Sequence, residues 1–100
     1  MTTTDERSAP TEAERLAAGP TVRVRAFAAA RAALGWSELD VSARPGSTVG
    51  ELLTGLLAEA PDAADVIARC SVLVDGIRAE GDAAVSAGAV VDLLPPFAGG

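Results

Sequence analysis

The stretch from Thr48 to Pro61 constrains the possible folds more than any other part of the sequence. It opens with Thr48 and Glu51 at the spacing in which a hydroxyl and a carboxylate each cap a free backbone N–H of a helix. Apolar residues then recur on one helical face, at Val49, Leu52, Leu53, Leu56, Leu57 and Ala60. Pro61 ends the helix because it disfavours helical geometry at the residue before it. An amphipathic helix of this kind must bury its leucines against a second layer, and a sheet is the simplest one.

Alternation of apolar and polar residues on both sides of this helix predicts strands. The predicted strands span residues 21–27, 37–42, 71–74, 77–78 and 89–94. Asp75-Gly76 predicts a tight hairpin turn between the third and the fourth. Shorter helical segments are predicted at residues 28–34, where Gly35 supplies a stop, and at residues 62–69.

This order of elements predicts an α+β domain, with the β-grasp (ubiquitin-like) fold as the specific candidate: a mixed sheet of four or five strands packed on one main helix. Residues 21–94 form the predicted domain. Residues 1–20 contain one large aliphatic residue, Leu16, and are predicted to be a disordered tail. Since 22 of the 49 apolar residues are alanines, the core is thin, and we expect function at a surface or a terminus.

Missing residue types exclude several kinds of function. The chain contains no His, Lys or Tyr, which removes the commonest general base, the Schiff-base and P-loop lysines and any imidazole ligand. Self-contained hydrolase, kinase and zinc functions are therefore excluded, and we expect no bound metal or cofactor. A single cysteine, Cys70, and an N-terminus that lacks a signal-peptide pattern predict a cytoplasmic protein without membrane segments. The net charge of −6, without an arginine cluster, argues against nucleic acid as a partner.

The last six residues, Pro95-Pro96-Phe97-Ala98-Gly99-Gly100, form a segment that packing does not explain. The two prolines keep it extended and out of the sheet, and the two glycines leave a narrow end that carries the α-carboxylate. At roughly 3.3 Å per residue, this extended C-terminal tail of residues 95–100 reaches about 20 Å, far enough to enter the active site of another protein. Terminal glycines taken alone are a weak signal and are more typical of a frayed, inert tail.

Several motifs precede that end. They are Phe27-Ala28-x-x-Arg31, Gly35, Thr48-Val49 before Leu52-Leu53, Leu73-Val74-Asp75-Gly76 and Gly88-x-x-Val91. With these motifs and the Pro-Pro-x-x-Gly-Gly end, residues 21–100 resemble the MoaD/ThiS family of ubiquitin-like sulfur carriers, most of all the small subunits of molybdopterin synthase. Of these motifs, only Pro-Pro-x-x-Gly-Gly is specific to the family. Residues 1–20 have no counterpart in the usual family pattern.

The resemblance implies a chemistry for the C-terminus, with Gly99 and Gly100 as the functional end. A MoeB-like adenylyltransferase would use ATP to convert the Gly100 carboxylate to an acyl adenylate, and a sulfur donor protein would then replace AMP. The resulting thiocarboxylate would donate sulfur to cyclic pyranopterin monophosphate in a MoaE-like large subunit, forming the molybdopterin dithiolene. On this interpretation the chain is a sulfur-donating subunit with no catalytic site of its own.

The resemblance also implies a partner-binding surface. Phe27 and Leu94 fall on the sheet face opposite the predicted core, and Arg31 adds polar contacts at the same rim. The residues assigned to partner binding are Phe27, Arg31, Leu94, Pro95, Pro96 and Phe97. For Phe27 and Leu94 the alternative is an isolated exposed apolar side chain, which is common; for Arg31 it is a solvated arginine, and for Phe97 a spacer.

Other conspicuous residues have structural interpretations. Cys70 is expected to be a small buried apolar residue. Asp62 and Asp65 stand at the start of the second predicted helix, where acids suit the helix dipole, so we expect them to cap it and not to bind metal. Trp36 is expected to cover an edge of the core.

Three alternatives to a molybdopterin synthase subunit remain at this point. The first is a sulfur carrier for another pathway, thiamin thiazole or cysteine synthesis. The second is a ubiquitin-like protein modifier that attaches its terminal glycine to lysines of other proteins. The third is an interaction domain with an inert tail.

Overall fold

The structure, a computed structural model, describes residues 20–44 and 46–96. The predicted tails lie outside this part of the chain, apart from Pro20, Pro95 and Pro96. In chain order the elements are β1 (Thr21–Ala26), α1 (Ala28–Leu34), β2 (Glu38–Ser42), α2 (Val49–Glu59), a 3₁₀ turn (Pro61–Ala63), α3 (Ala64–Ala68), β3 (Ser71–Val74), β4 (Ile77–Arg78) and β5 (Val90–Leu94). The predicted α+β architecture is confirmed, with the strands and the main helix within one residue of their expected ends.

The five strands form one mixed sheet in the order β2-β1-β5-β3-β4. The central strands β1 and β5 are parallel, with Val24 opposite Val91 and Ala26 opposite Leu93. The other neighbours are antiparallel. Because β1 and β5 run the same way, their carboxyl ends meet at one end of the sheet, where Phe27 and Pro95 follow them.

One face of the sheet packs on the helices and forms the core. The largest fully buried side chains come from the two central strands and from the start of α2; they are Val22, Val24, Val49, Val91 and Leu93. In β1 buried and more exposed residues alternate, and in β5 Val91 and Leu93 are fully buried, so the inward residues predicted for these two strands are confirmed. We call the opposite face, which carries Arg25 and Asp92, the open face.

The start of α2 has the predicted capping box. The Thr48 hydroxyl accepts a hydrogen bond from the Glu51 backbone N–H at 3.2 Å, and the Glu51 carboxylate accepts one from the Thr48 N–H at 3.1 Å. Val49 and Leu56 on the apolar stripe are buried, while Leu52, Leu53 and Leu57 are partly buried against the core. The helix therefore covers the central strands, as its amphipathic pattern predicts.

Two expectations need correction. The second predicted helix, residues 62–69, is instead a 3₁₀ turn followed by the five-residue α3, and no side chain caps either of them. Asp62 and Asp65 do lie in the first turns of these elements, where acids suit the helix dipole, but the side-chain capping expected of them is wrong. The turn starts at Pro61, whose fixed φ already suits the first helical position. Leu39 lies on the helix-facing side of β2 as expected, but its side chain stays 40% exposed because a groove separates this edge strand from α2. Among the described residues, no helix has the length and apolar character needed to cross a membrane.

Candidate functional site

The carboxyl ends of β1 and β5 lie side by side at one end of the sheet, and the C-terminal tail begins there. The Phe27 backbone N–H donates to the Leu93 carbonyl at 3.3 Å, which continues the parallel ladder by one residue. By this register Phe27 and Leu94 stand side by side on the open face. Leu94 and Pro95 are half-buried, and Pro96 is exposed. We call Phe27, Leu94, Pro95 and Pro96 the rim; the structure brings together four of the residues assigned to partner binding.

A sharp change of backbone direction places Phe27 at the surface. Phe27 is the N-cap of α1 in an extended conformation, and Ala28 follows it with φ of 50°, in the left-handed region that non-glycine residues seldom adopt. The Phe27 carbonyl accepts hydrogen bonds from the Ala30 and Arg31 N–H groups. The Phe27 side chain is 40% exposed, and Arg31 is exposed one helical turn later. Strained backbone of this kind concentrates at functional positions.

An ion pair between Arg25 and Asp92 lies next to the rim on the open face, and its guanidinium contacts the Phe27 ring. Arg25 Nε lies 2.7 Å from Asp92 Oδ1, and Arg25 Nη2 lies 3.0 Å from Asp92 Oδ2, so the pair is bidentate. The Arg25 guanidinium carbon lies 5.8 Å from the centroid of the Phe27 ring, within reach of a cation–π contact. Asp92 is the one buried charged residue in the described part of the chain, at 7% exposure. We call Arg25 and Asp92 the clamp.

The clamp was missed in the sequence, although a signal for it exists. An acid inside a central apolar strand is costly to bury unless it is paired. Asp92 in β5 meets this description, and Arg25 is its register partner in the neighbouring strand β1. The hydrogen bond and the charge of Asp92 raise the pKa of Arg25 above its ordinary value, so the guanidinium stays charged at every physiological pH.

The β2 side of the open face carries a second, more exposed set of ion pairs. Arg23 Nε lies 3.1 Å from Asp40 Oδ1, and Arg23 Nη1 lies 3.5 Å from Glu38 Oε1. The hydrogen bond with Asp40 is the main cause that raises the pKa of Arg23. All three side chains are about half exposed, so each pair contributes little to stability.

The remaining predicted residues divide into two groups. Phe97, Gly99 and Gly100 lie outside the described residues. Cys70 is partly buried against the core, as is Trp36, in line with the structural roles expected for them. Cys70 precedes Ser71, which pairs with Leu94, so this thiol lies at the rim end of the sheet. Its Sγ donates to the Val66 carbonyl at 3.4 Å, and burial raises the pKa of the thiol. No group of three or more potential metal ligands occurs within the described residues.

Comparison with known proteins gives a family match over most of the chain. The sequence profile of the ThiS family matches residues 24–100. No curated protein matches the sequence. The family match supports the resemblance drawn from residues 21–100.

Solved structures with the same fold include proteins described as modifiers and as subunits of molybdopterin-converting factor. SAMP1, the small archaeal modifier protein 1 of Haloferax volcanii, has 26% identity and a TM-score of 0.72, covering 80% of this chain and 99% of that chain. Subunit 1 of molybdopterin-converting factor from Helicobacter pylori, solved in complex with subunit 2, has 22% identity and a TM-score of 0.59, with coverages of 80% and 99%. Urm1 of Trypanosoma brucei has 17% identity and a TM-score of 0.65, with coverages of 81% and 96%. These similarities confirm the predicted β-grasp fold.

Proposed function

Because the chain belongs to the ThiS family of ubiquitin-like sulfur carriers, we propose that it carries sulfur on Gly100 as a thiocarboxylate and acts as the small subunit of molybdopterin synthase. One observation carries the proposal: the Pro-Pro-x-x-Gly-Gly end follows directly from β5, a central strand of the sheet. The rest of the domain then serves as a rigid base from which this end reaches a partner.

The proposed chemistry needs no base from this chain. An oxygen of the Gly100 carboxylate attacks the α-phosphorus of ATP bound to a MoeB-like adenylyltransferase; an acyl adenylate forms and pyrophosphate leaves. Sulfide supplied by a donor protein then attacks the carbonyl carbon, and AMP leaves with the electron pair of the broken C–O bond. Loss of the S–H proton gives a thiocarboxylate, which is anionic and nucleophilic at sulfur. The absence of His and Lys from the sequence suits a carrier whose partners supply the catalytic groups.

The rim offers a docking surface at the root of the tail. Phe27 and Leu94 provide apolar surface, and the exposed Arg31 lies one helical turn beyond Phe27. A MoaE-like large subunit that covers these residues would receive residues 95–100 in its active site, since the segment spans about 20 Å when extended. The complex of subunits 1 and 2 from Helicobacter pylori supports a partner of this kind. ATP enters only through the activating enzyme, and we place the reaction in the cytoplasm.

A protein modifier is the second candidate, and one observation favours it. SAMP1, described as a small archaeal modifier protein, is 26% identical to this chain and shares its fold. A modifier would use the same activated Gly100 but transfer it to a lysine amine, forming an isopeptide bond. The sequence contains no lysine, so such a modifier would not build lysine-linked chains on itself.

Intact-mass spectrometry separates the two candidates. The full chain is incubated with ATP, a MoeB-like adenylyltransferase and a sulfide source, beside a variant that lacks Gly100. We expect one oxygen to be replaced by sulfur in the full chain and no change in the deletion variant. If the mass of the chain stays constant while isopeptide adducts appear on other proteins, the modifier function is correct.

Binding to a MoaE-like subunit tests the rim and the pathway together. Phe27→Glu and Leu94→Glu place a charge on the rim, and Ile77→Glu is the matched control because Ile77, 73% exposed, lies on the far edge strand β4. We expect the rim variants to weaken the complex more than about tenfold, since burying an unpaired carboxylate in an interface is costly, and the control to bind normally. Full binding by both rim variants would reject this interface.

A further inference from the structure

A second surface lies along the edge strand β2, on the helix-facing side of the sheet. A groove of about 830 Å³ runs between the edge strand β2 and helix α2. Its apolar lining includes Trp36, Leu39, Val41 and Leu52. Leu39 and Val41 are on the helix-facing side of β2, since they pair with the core residues Val24 and Val22, but no described residue covers them fully. The groove is therefore core-type surface left open at the sheet edge.

The N-terminal segment of the chain starts at the mouth of this groove. Ala43, which lines the groove, donates its backbone N–H to the Pro20 carbonyl at 3.0 Å. Residues 1–19, outside the described part, are thus attached beside the opening. Proteins of the same fold cover about 80% of this chain, and the family match starts at residue 24, so this segment is additional to the shared domain.

The segment carries one side chain suited to such a groove. Leu16 is the only Leu, Val, Ile, Phe or Trp among residues 1–20. It lies four residues before Pro20, a span of at most about 14 Å. Val41 lies two residues from Ala43 along β2, about 7 Å away. Leu16 can therefore reach the apolar lining without any change in the described domain.

The charges around Leu16 also match those at the edges of the groove. Glu14 and Arg15 precede Leu16. Arg44 and Glu59 line the groove, and neither makes an ion pair within residues 20–44 and 46–96. The segment and the groove therefore each carry one acidic and one basic side chain next to the proposed contact.

We propose that residues 12–18 of this chain dock in the groove between β2 and α2, with Leu16 packed against Val41 and Leu39 and the residues before it running toward Trp36. Tethering favours this occupant over a free peptide, because a short linker gives a local concentration in the millimolar range. Since β1 separates β2, which lines the groove, from β5, which leads into the C-terminal tail, the docked segment leaves that tail free. The docked segment would then cover the apolar side chains of the edge strand β2.

Trp36 reports on the proposal directly, because it is the only tryptophan of the chain and it lines the groove. The experiment compares acrylamide quenching of the full chain with that of its Leu16→Asp and Ala9→Asp variants. The second is a matched control, with the same charge change outside the proposed docking segment. We expect Leu16→Asp to raise the quenching constant of Trp36 about two-fold and to shift its emission to the red, because the indole loses apolar cover. Ala9→Asp should leave both unchanged.

A second measurement keeps the test independent of fluorescence. In NMR spectra of the full chain we expect nuclear Overhauser effects between the Leu16 methyl groups and the methyl groups of Val41 and Leu39, with intensities independent of protein concentration. Equal quenching in all three chains together with no such effects would overturn the proposal. Shielding of Trp36 that grows with protein concentration would also overturn it, since a second copy would then be the occupant. Circular dichroism confirms that the variants fold.

Discussion

The two faces of the β1–β5 pair are built from alternate residues of the same strands and differ in what they bury. On the helix-facing side, Val24 and Val91 are opposite each other and fully buried. One residue further along, Arg25 and Asp92 are also opposite each other, on the open face. The first pair excludes water from the core, whereas the second is an ion pair beneath the aromatic ring of Phe27.

This difference implies that stability and partner binding can be changed separately within a single strand. Because side chains alternate, two neighbouring residues of β5 lie on opposite faces. A substitution on the core face should lower the free energy of unfolding, and one on the open face should mainly affect the rim.

Leu93→Ala should produce the largest loss of stability. Leu93 is fully buried, and removing its side chain leaves a cavity, so we expect the free energy of unfolding to fall by about 2–5 kcal/mol. Its neighbour Leu94, half-buried on the open face, is the matched control; Leu94→Ala should cost less than about half as much. Urea denaturation followed by circular dichroism measures both.

Binding to a MoaE-like subunit should show the reverse order. Leu94→Ala should weaken the complex although the domain remains folded, while Leu93→Ala should bind normally under conditions in which it is folded. If Leu93→Ala does not fold, Leu93→Val, a milder truncation, serves in its place. Equal losses of stability from the two alanine variants would contradict the division between the faces.

Local patterns were sufficient to predict the elements and the rim. Alternation in β1 and β5 placed Phe27 and Leu94 on the open face, and the capping box placed the start of α2. The clamp needed the additional knowledge that β1 and β5 are neighbours, although 67 residues separate Arg25 from Asp92. The exposure of Leu39 depends likewise on where α2 crosses the sheet, which periodicity alone does not specify.

Asp92→Asn should have an intermediate effect that extends to the rim. The substitution keeps the shape of the side chain but removes the charge that Arg25 pairs with, so the guanidinium loses its fixed position under Phe27. We expect a melting temperature lower by several degrees and weaker binding to a MoaE-like subunit. Arg23→Gln, which breaks the exposed pairs with Asp40 and Glu38, is the control and should change both much less.

The pH dependence of this effect follows from the raised pKa of Arg25. A cationic group whose pKa is higher in the folded than in the unfolded state stabilises the fold below its unfolded pKa, and this contribution is lost as the pH rises through the folded pKa. For an arginine both values are strongly alkaline. The difference in melting temperature between Asp92→Asn and the original chain should therefore stay constant from neutral pH to about pH 10; a decline over that interval would contradict a clamp based on the Arg25 charge.

Cys70 should give the smallest effect, although it lies at the functional end of the sheet. Burial raises the pKa of its thiol, so the reactive thiolate is rarer than in a free cysteine. Alkylation by iodoacetamide should therefore need a more alkaline pH in the folded chain than for the same thiol in urea, which serves as an internal control. Cys70→Ala should leave thiocarboxylate formation on Gly100 unchanged. A loss of sulfur loading in this variant, with the fold intact by circular dichroism, would instead make Cys70 part of the transfer, and the rim end of the sheet would then contain a reacting group as well as a docking surface.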